Sequence, residues 1–264
     1  MSVGRIVYRI TWSLVRFFYP RIRPEGQLPE EPSIVVGNHS QMNGPITEQL
    51  YHPRPKTIWC AGQMMHWKEV PAYAFQDFWS GKPKWSLPFY RLLSYIITPL
   101  SVSIFNNADT LGVYRDSRIV GTFKETIRAL QDGKDIIIFP ETYRGYNQIL
   151  CQFQEHYIDV ARLYYKRTGV RVNFVPMYVC PKLKKVIYGA PTRFDPDNPM
   201  DAERQRINTY LMEEITRLAL SQPEHIVVPY PNLSKKEYRS SRSDRPILPV
   251  EQNKVTKGAK KSNA

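Results

Sequence analysis

The sequence predicts an α/β fold, a mostly parallel sheet flanked by helices and preceded by an interfacial helix. Three observations predict it. Short β-branched runs within residues 33–37 and 136–139 are apolar but for Ser33, as strands covered on both faces are. Between them lie stretches with apolar residues at helical spacing. Each run then ends in chemically capable side chains, Asn38-His39 after the first and Glu141 with Arg144 after the second, and open α/β sheets gather their ligands at such strand ends.

The first element is a helix over residues 5–19. Projected at about 100° per residue, Arg5, Arg9 and Arg16 share a narrow arc, while Ile6, Ile10, Leu14, Phe17 and Phe18 spread over the rest. Three arginines argue against a spanning helix, which needs roughly 20 mainly apolar residues. A helix lying in the plane of a lipid surface fits the pattern, and packing on the chain's own domain is the alternative.

A buried strand follows at 33–37, then a helix from near Pro45. Residues 58–105 are rich in Trp, Met, Tyr and Phe, which suits an acyl-chain groove, a membrane-dipping element or core packing. Arg91, Pro88 and Pro99 argue against a complete span there. A helix over 116–130 carries Ile119, Val120, Phe123, Ile127 and Leu130 at helical spacing and stops at Gly133. The strand at 136–139, a helix over 149–167 ended by Gly169, and strands at 172–179 and 185–188 come next. Asn198-Pro199 opens a last helix through 220, with Ile207, Leu211, Ile215 and Leu218 as its buried stripe. The organisation is therefore an amphipathic helix at 1–24, a domain at 25–232 and a basic, proline-interrupted disordered tail at 233–264.

The net charge of +13 is unevenly spread. The first 23 residues hold five arginines and no acid, nine bases face three acids from Leu233 onward, and the body keeps only +2. Basic ends attract anionic headgroups or nucleic acid alike. With no zinc-finger spacing, basic recognition helix or RNA-binding signature, a membrane surface is the expected partner and nucleic acid is not. Cys60, Cys151 and Cys180 lie far apart without metal spacing, as reduced core thiols in a cytosolic setting would. The arginine-studded N-terminal stretch lacks a secretory cleavage pattern.

His39 is a candidate general base, since a histidine just past a strand end can reach substrate. Glu141 and Arg144 offer a carboxylate and a guanidinium at a second strand end, and Arg115 precedes a helix as another candidate phosphate ligand. These residues resemble the motifs of the glycerophospholipid acyltransferase family, typified by 1-acylglycerol-3-phosphate acyltransferase. The run Asn38-His39-Ser40-Gln41-Met42-Asn43-Gly44 is similar to its Asn-His-four-residues-Asp motif, and Arg115 to its arginine before a helix. Phe139-Pro140-Glu141-Thr142-Tyr143-Arg144 is similar to Phe-Pro-Glu-Gly-Thr-Arg, and Val175-Pro176 to its late apolar strand. The order and spacing agree over residues 30–190.

The resemblance implies transfer of an acyl group from an acyl-coenzyme A or acyl-carrier-protein thioester to a hydroxyl of a lysophospholipid such as lysophosphatidate. His39 would be the base, Glu141, Arg144 and Arg115 would hold the acceptor, and no metal or redox cofactor would be needed. Membrane lipids would be its partners at the cytoplasmic face. Two departures stand out. Gly44 occupies the place of the aspartate that orients the imidazole, and Thr142-Tyr143 replace Gly-Thr. Asn43 could orient His39 through its amide oxygen, or a carboxylate such as Glu48 or one from the aromatic stretch could fold in. The remaining alternative is a catalytically inactive homologue that binds phospholipid or scaffolds at the membrane.

Overall fold

The structure, a computed structural model, describes residues 2–79 and 82–250. Its sheet has the order β1-β9-β8-β2-β5-β3-β4, formed by β1 (Arg23–Glu25), β2 (Ser33–Gly37), β3 (Lys56–Ala61), β4 (Thr110–Val113), β5 (Asp135–Ile138), β8 (Asn173–Cys180) and β9 (Lys185–Tyr188). The pairings from β8 through β4 are parallel, and antiparallel pairing enters where β9 and β10 (Thr192–Arg193) join β8. The fold is thus a mixed, mostly parallel α/β sheet flanked by helices, as the apolar runs predict. A hairpin of β6 (Glu141–Gly145) and β7 (Cys151–Phe153) leaves the sheet directly after β5.

Alternation explains why these strands are apolar throughout. Ile34, Val36, Ile136, Ile138, Phe174 and Tyr178 point into one core with α6 (Ile119–Gln131), α7 (Asp159–Thr168) and α8 (Met200–Leu220). Val35, Ile137, Val175 and Met177 point into a second core on the opposite face. Ile207, Leu211, Ile215 and Leu218 of α8 are all buried. Gly169 ends α7, and both it and Gly133 take the left-handed backbone that a helix stop favours.

Three elements differ from expectation. The stretch 149–155 is not helix: Cys151–Phe153 pairs with β6, His156–Ile158 is a 3-10 turn, and α7 starts only at Asp159. Its apolar residues Ile149 and Leu150 serve the core from irregular backbone and Ile158 from the 3-10 turn, which a short periodic pattern does not distinguish from α-helix. The tail expected at 233–264 is packed as far as 250. Ser241 and Ile247 are buried, Ile226 bridges Ser240, and a capping box closes a short 3-10 turn at Lys235–Glu237. Residues 251–264 lie outside the described residues.

The helix α1 (Val3–Phe18) buries none of its residues fully and lies along α5 (Thr98–Phe105), with Gly4 beside Asn107 and Ser103. Its Phe17 and Phe18 are 81% and 77% exposed. On α4 (Leu87–Ile96), Phe89, Leu92, Tyr95 and Ile96 are also exposed. Among the described residues no single helix is long and apolar enough to cross a membrane, though the stretch containing α4 pairs with α5 across a 44° bend to reach that length and composition.

At the amino-terminal edge of the sheet, a buried polar network ties four elements together. Asp135 accepts from the Ser33 amide at 2.8 Å and from Arg54 Nη2 at 2.7 Å, and its second oxygen lies 2.9 Å from His52 Nε2. His52 Nδ1 is 2.7 Å from Glu48, which also accepts from Tyr188 Oη at 3.2 Å. The carboxylates of Glu48 and Asp135 therefore have partners despite full burial.

Candidate functional site

His39 emerges at the carboxyl edge of β2, beside the carboxyl edge of β5. Where the β2 ladder ends, the Asn38 side chain continues it: its amide donates to Val179 O at 3.0 Å and its oxygen accepts from Val179 N at 2.7 Å. The next residue is pinned from the other side, since His39 N donates to Glu141 Oε2 at 2.6 Å. Glu141 is buried, and its other oxygen accepts from Cys151 N at 2.9 Å. Burial pushes this carboxyl up to about 7, opposed by the two amide bonds. Glu141 therefore holds the backbone of the histidine in place. The expectation that it binds substrate is not met, because both oxygens face main-chain donors.

After His39 the chain makes a tight left-handed turn, Ser40 and Gln41 having φ of 48° and 54°. Such backbone is costly for non-glycine residues, about 1–3 kcal/mol each, and persists only when its surroundings over-determine it. The turn folds the Gln41 carbonyl back onto the imidazole, where His39 Nδ1 donates to it. A carbonyl can only accept, so this bond fixes the proton on Nδ1 and leaves Nε2 as the basic nitrogen. Burial lowers the His39 pKa, with the Gln41 bond opposing, so the ring is neutral near pH 7.

The residues proposed to replace the aspartate are elsewhere. Asn43, expected to orient His39, opens α2 (Asn43–Tyr51) and faces away from the ring. Its amide donates to Ser40 O at 2.8 Å and its oxygen accepts from Tyr19 Oη at 3.1 Å, so it braces the turn and does not touch the imidazole. Glu48 is committed to His52. Gly44 has no room for any side chain: a Cβ there would sit 2.7 Å from His39 O, 2.7 Å from Phe139 Cε1 and 2.9 Å from Asn38 O. The glycine is a packing requirement of this loop.

Aromatic rings wall the histidine. Phe139 and Tyr230 each lie 5.3 Å from His39 between centroids, and Tyr143 lies 5.0 Å from Tyr230. Arg115 and Arg144 are both exposed, Arg115 beyond the end of β4 and Arg144 on the β6–β7 hairpin. Arg115 acts electrostatically on Asp77 and Tyr73: burial raises the Asp77 pKa and Arg115 lowers it, while burial pushes Tyr73 up to about 12. Asp77 in turn acts on Tyr143 and Tyr230, so a carboxylate of the aromatic stretch does reach this edge, two rings away from His39. Val175-Pro176 sits in β8 with Pro176 opposite Val36 of β2. Among the described residues no three His, Cys, Asp or Glu side chains gather as a metal site.

Sequence reasoning missed Tyr230 and the Tyr19 brace, and it placed Asn38 and Gln41 in a motif without seeing what they hold. A main-chain acceptor leaves no signature in residue types. Tyr230 had one available signal, its setting between Pro229 and Pro231 in a segment taken as the edge of a tail.

No family model matches this chain, and no curated protein matches it. Among solved structures it is similar to the 1-acyl-sn-glycerophosphate (LPA) acyltransferase PlsC of Thermotoga maritima, with a TM-score of 0.46 and 17% identity over 84% of this chain and 81% of that one.

Proposed function

We propose that the protein transfers an acyl group from a thioester to the hydroxyl of a lysophospholipid, such as lysophosphatidate, at the cytoplasmic face of a membrane. The observation that carries this reading is the His39–Gln41 pair: a neutral imidazole at the carboxyl edge of a parallel sheet, held in one tautomer with Nε2 as base. Nε2 takes the proton of the acceptor hydroxyl as its oxygen attacks the thioester carbonyl. The tetrahedral oxyanion then collapses, the C–S bond breaks, and the imidazolium returns its proton to the departing thiolate. The main-chain amides of Ser40, Gln41 and Met42 have no acceptor among the described residues and are the local donors for that oxyanion. Arg115 and Arg144 are the cations for the acceptor's phosphate.

The exposed apolar faces of α1 and α4 support a monotopic attachment, with the arginines of α1 toward anionic headgroups. A groove of about 650 Å³ between α1 and α5, lined by Val7, Trp67, Ile96, Pro99 and Leu100, suits an acyl chain. A carbonyl dipole replaces the family's full negative charge beside Nδ1, so it stabilises the imidazolium less and turnover should be slower than an aspartate-supported dyad achieves. One observation favours a non-catalytic lipid binder: Tyr230 lies against His39 and narrows access to it.

The deciding experiment is acyl transfer to labelled lysophosphatidate in vesicles by wild type and His39→Ala, with acyl-coenzyme A and acyl-carrier protein each as donor. Turnover lost in the variant, with an acid limb in kcat/KM below pH 6.5, supports the dyad. Vesicle binding without turnover from either donor supports the binder.

A further inference from the structure

The carboxyl-terminal segment forms a loop whose two ends meet. Ile226 bridges Ser240, and on either side of that bridge Val227 N donates to Arg239 O and Ser241 N to His225 O, both at 2.8 Å. His225, Val227 and Ser241 are buried, so this neck is rooted in the fold. Between its arms, residues 228–238 make a tip of the compact surface-loop kind. Among the described residues no main-chain group of the tip bonds to another element, and its turn bonds, such as Glu237 N to Ser234 O at 2.8 Å, are internal. Side chains alone hold it down. Tyr230 lies against His39 and Tyr143, Leu233 packs on the main core, and Tyr238 Oη accepts from Gln41 Nε2 at 2.9 Å.

Such a tip can lift as a unit. Proline fixes its own φ and keeps the residue before it extended, so Val228-Pro229-Tyr230-Pro231 is stiff and the freedom to swing lies at the neck. Covers of active sites are drawn from segments held by few contacts, as this one is. The crown of the tip is cationic. Lys235 and Lys236 are exposed, while the Glu237 carboxylate beside them accepts from the Ser234 amide at 3.0 Å. Lys182 and Lys235 line one open depression next to Gln41. Charge recruits an anionic surface but does not by itself open the loop, because the lysines are exposed in the closed form as well, and a ligand shifts an equilibrium only by binding one state better. Tyr230 and Leu233 supply that difference. In water a lifted tip would expose both, whereas the headgroup region of a bilayer accepts an aromatic ring that keeps its hydroxyl wet.

We propose that residues 225–241 form a lid over His39 that an anionic bilayer surface opens, with Lys235 and Lys236 on the headgroups and Tyr230 and Leu233 moving from the site into the interface. The lid itself is independent of what His39 does; its control of turnover rests on the acyl-transfer reading above.

The test is the rate at which diethyl pyrocarbonate modifies His39 in the full chain, read by peptide mass spectrometry. It is measured in buffer, with inorganic phosphate, and with vesicles of phosphatidylcholine alone or mixed with phosphatidylglycerol. Wild type should react slowly except on the anionic vesicles, and Tyr230→Ala should react fast in every condition. Lys235→Ser with Lys236→Ser should shrink the anionic response at least about fivefold, the worth of one lysine at a charged surface. Lys166→Ala with Arg167→Ala, which removes the same charge from the exposed face of α7, should keep it. A wild-type rate that is equal in buffer and on anionic vesicles overturns the lid, as does a Tyr230→Ala rate equal to that of wild type in buffer. Equal acceleration by inorganic phosphate or by phosphatidylcholine overturns the anionic surface as the opener, and an undiminished response in the lysine variant overturns the role of the crown. In turnover, Tyr230→Ala should lose the requirement for phosphatidylglycerol. Opening on anionic vesicles with no turnover from any donor supports the lid and refutes acyl transfer.

Discussion

Placing at position 44 the aspartate of the motif that this loop resembles, by Gly44→Asp, should damage this protein. The first atom of any side chain at 44 would meet two main-chain carbonyl oxygens, of His39 and Asn38, and the Phe139 ring, all at 2.7–2.9 Å, where ordinary contact starts at 3.4 Å. The ring could rotate, but the two oxygens belong to the backbone that Glu141 and Val179 pin in place. Overpacking of this kind costs about 1–3 kcal/mol, and a carboxylate set against carbonyl oxygens in a desolvated site adds to it. For a chain of this size each kcal/mol lowers Tm by about 2–4 °C, so the variant should melt about 5–10 °C below wild type. Pushing the His39 carbonyl also disturbs the Gln41 turn, so acyl transfer should fall. Gly44→Ala separates the two causes and should show most of the Tm loss, since the Cβ alone makes the clash. Circular-dichroism melts and vesicle assays on both variants test this. An unchanged Tm with a higher kcat in Gly44→Asp would refute the reasoning, because it would mean that the loop relaxes and that His39 prefers a carboxylate to the Gln41 carbonyl.

Other outcomes follow from the same geometry. Glu141→Gln places an amide NH2 against a main-chain donor and should cost about 1–3 kcal/mol. Because burial raises the Glu141 pKa from 4.5 to about 7, the folded chain holds that proton more tightly than the unfolded one, so stability should decline as pH rises through that window. Urea titrations from pH 4.5 to 7.5 should show the decline in wild type and a weaker one in Glu141→Gln. His52→Ala strips Glu48 and Asp135 of a buried partner and should cost about 3–5 kcal/mol with little direct effect on the site. Burial opposes charge on His52, but bonds to Asp135 and Glu48 raise its pKa, so its stabilisation is complete below pH 6.5 and is lost as pH rises through the raised value. Alkaline melts of wild type should reveal that loss, and the variant should lack it. Phe17→Ser with Phe18→Ser should weaken sedimentation with anionic vesicles at least tenfold and leave Tm unchanged, since α1 has no buried residue.

The central sheet was readable because its strands are covered on both faces, so 33–37 and the run from 136 announce themselves without alternation. Helices with a single buried stripe, such as α6 with its stop at Gly133 and the long α8, were readable for the complementary reason. The stretch 149–155 was not, because short apolar clusters carry no dependable period. The segment 233–250 was misread since its anchors, Ser241 and Ile247, are few and scattered among polar residues, and few anchors suffice when hydrogen bonds to neighbouring loops supply the rest. At the site, His39 was visible by its position after a strand. The roles of Asn43 and Glu141 were not, because composition reports which groups are present and leaves open whether they face a ligand or the main chain.

The Gln41 carbonyl has a consequence for how this protein withstands mutation. A side-chain partner can be deleted by one substitution, whereas a peptide oxygen survives every replacement at its own position that keeps the backbone path. Alanine scanning across 40–43 would therefore pass over the group that sets the histidine's tautomer. Sensitivity moves instead to residues that shape the path, chiefly the left-handed pair Ser40 and Gln41, where proline would be forbidden, and Asn43 with Tyr19, which clamp the turn. Replacement at position 41 would cost the side-chain bond to Tyr238 and leave the carbonyl's hold on His39 in place, so the loop's tie to the carboxyl-terminal segment and its tie to the imidazole can change independently.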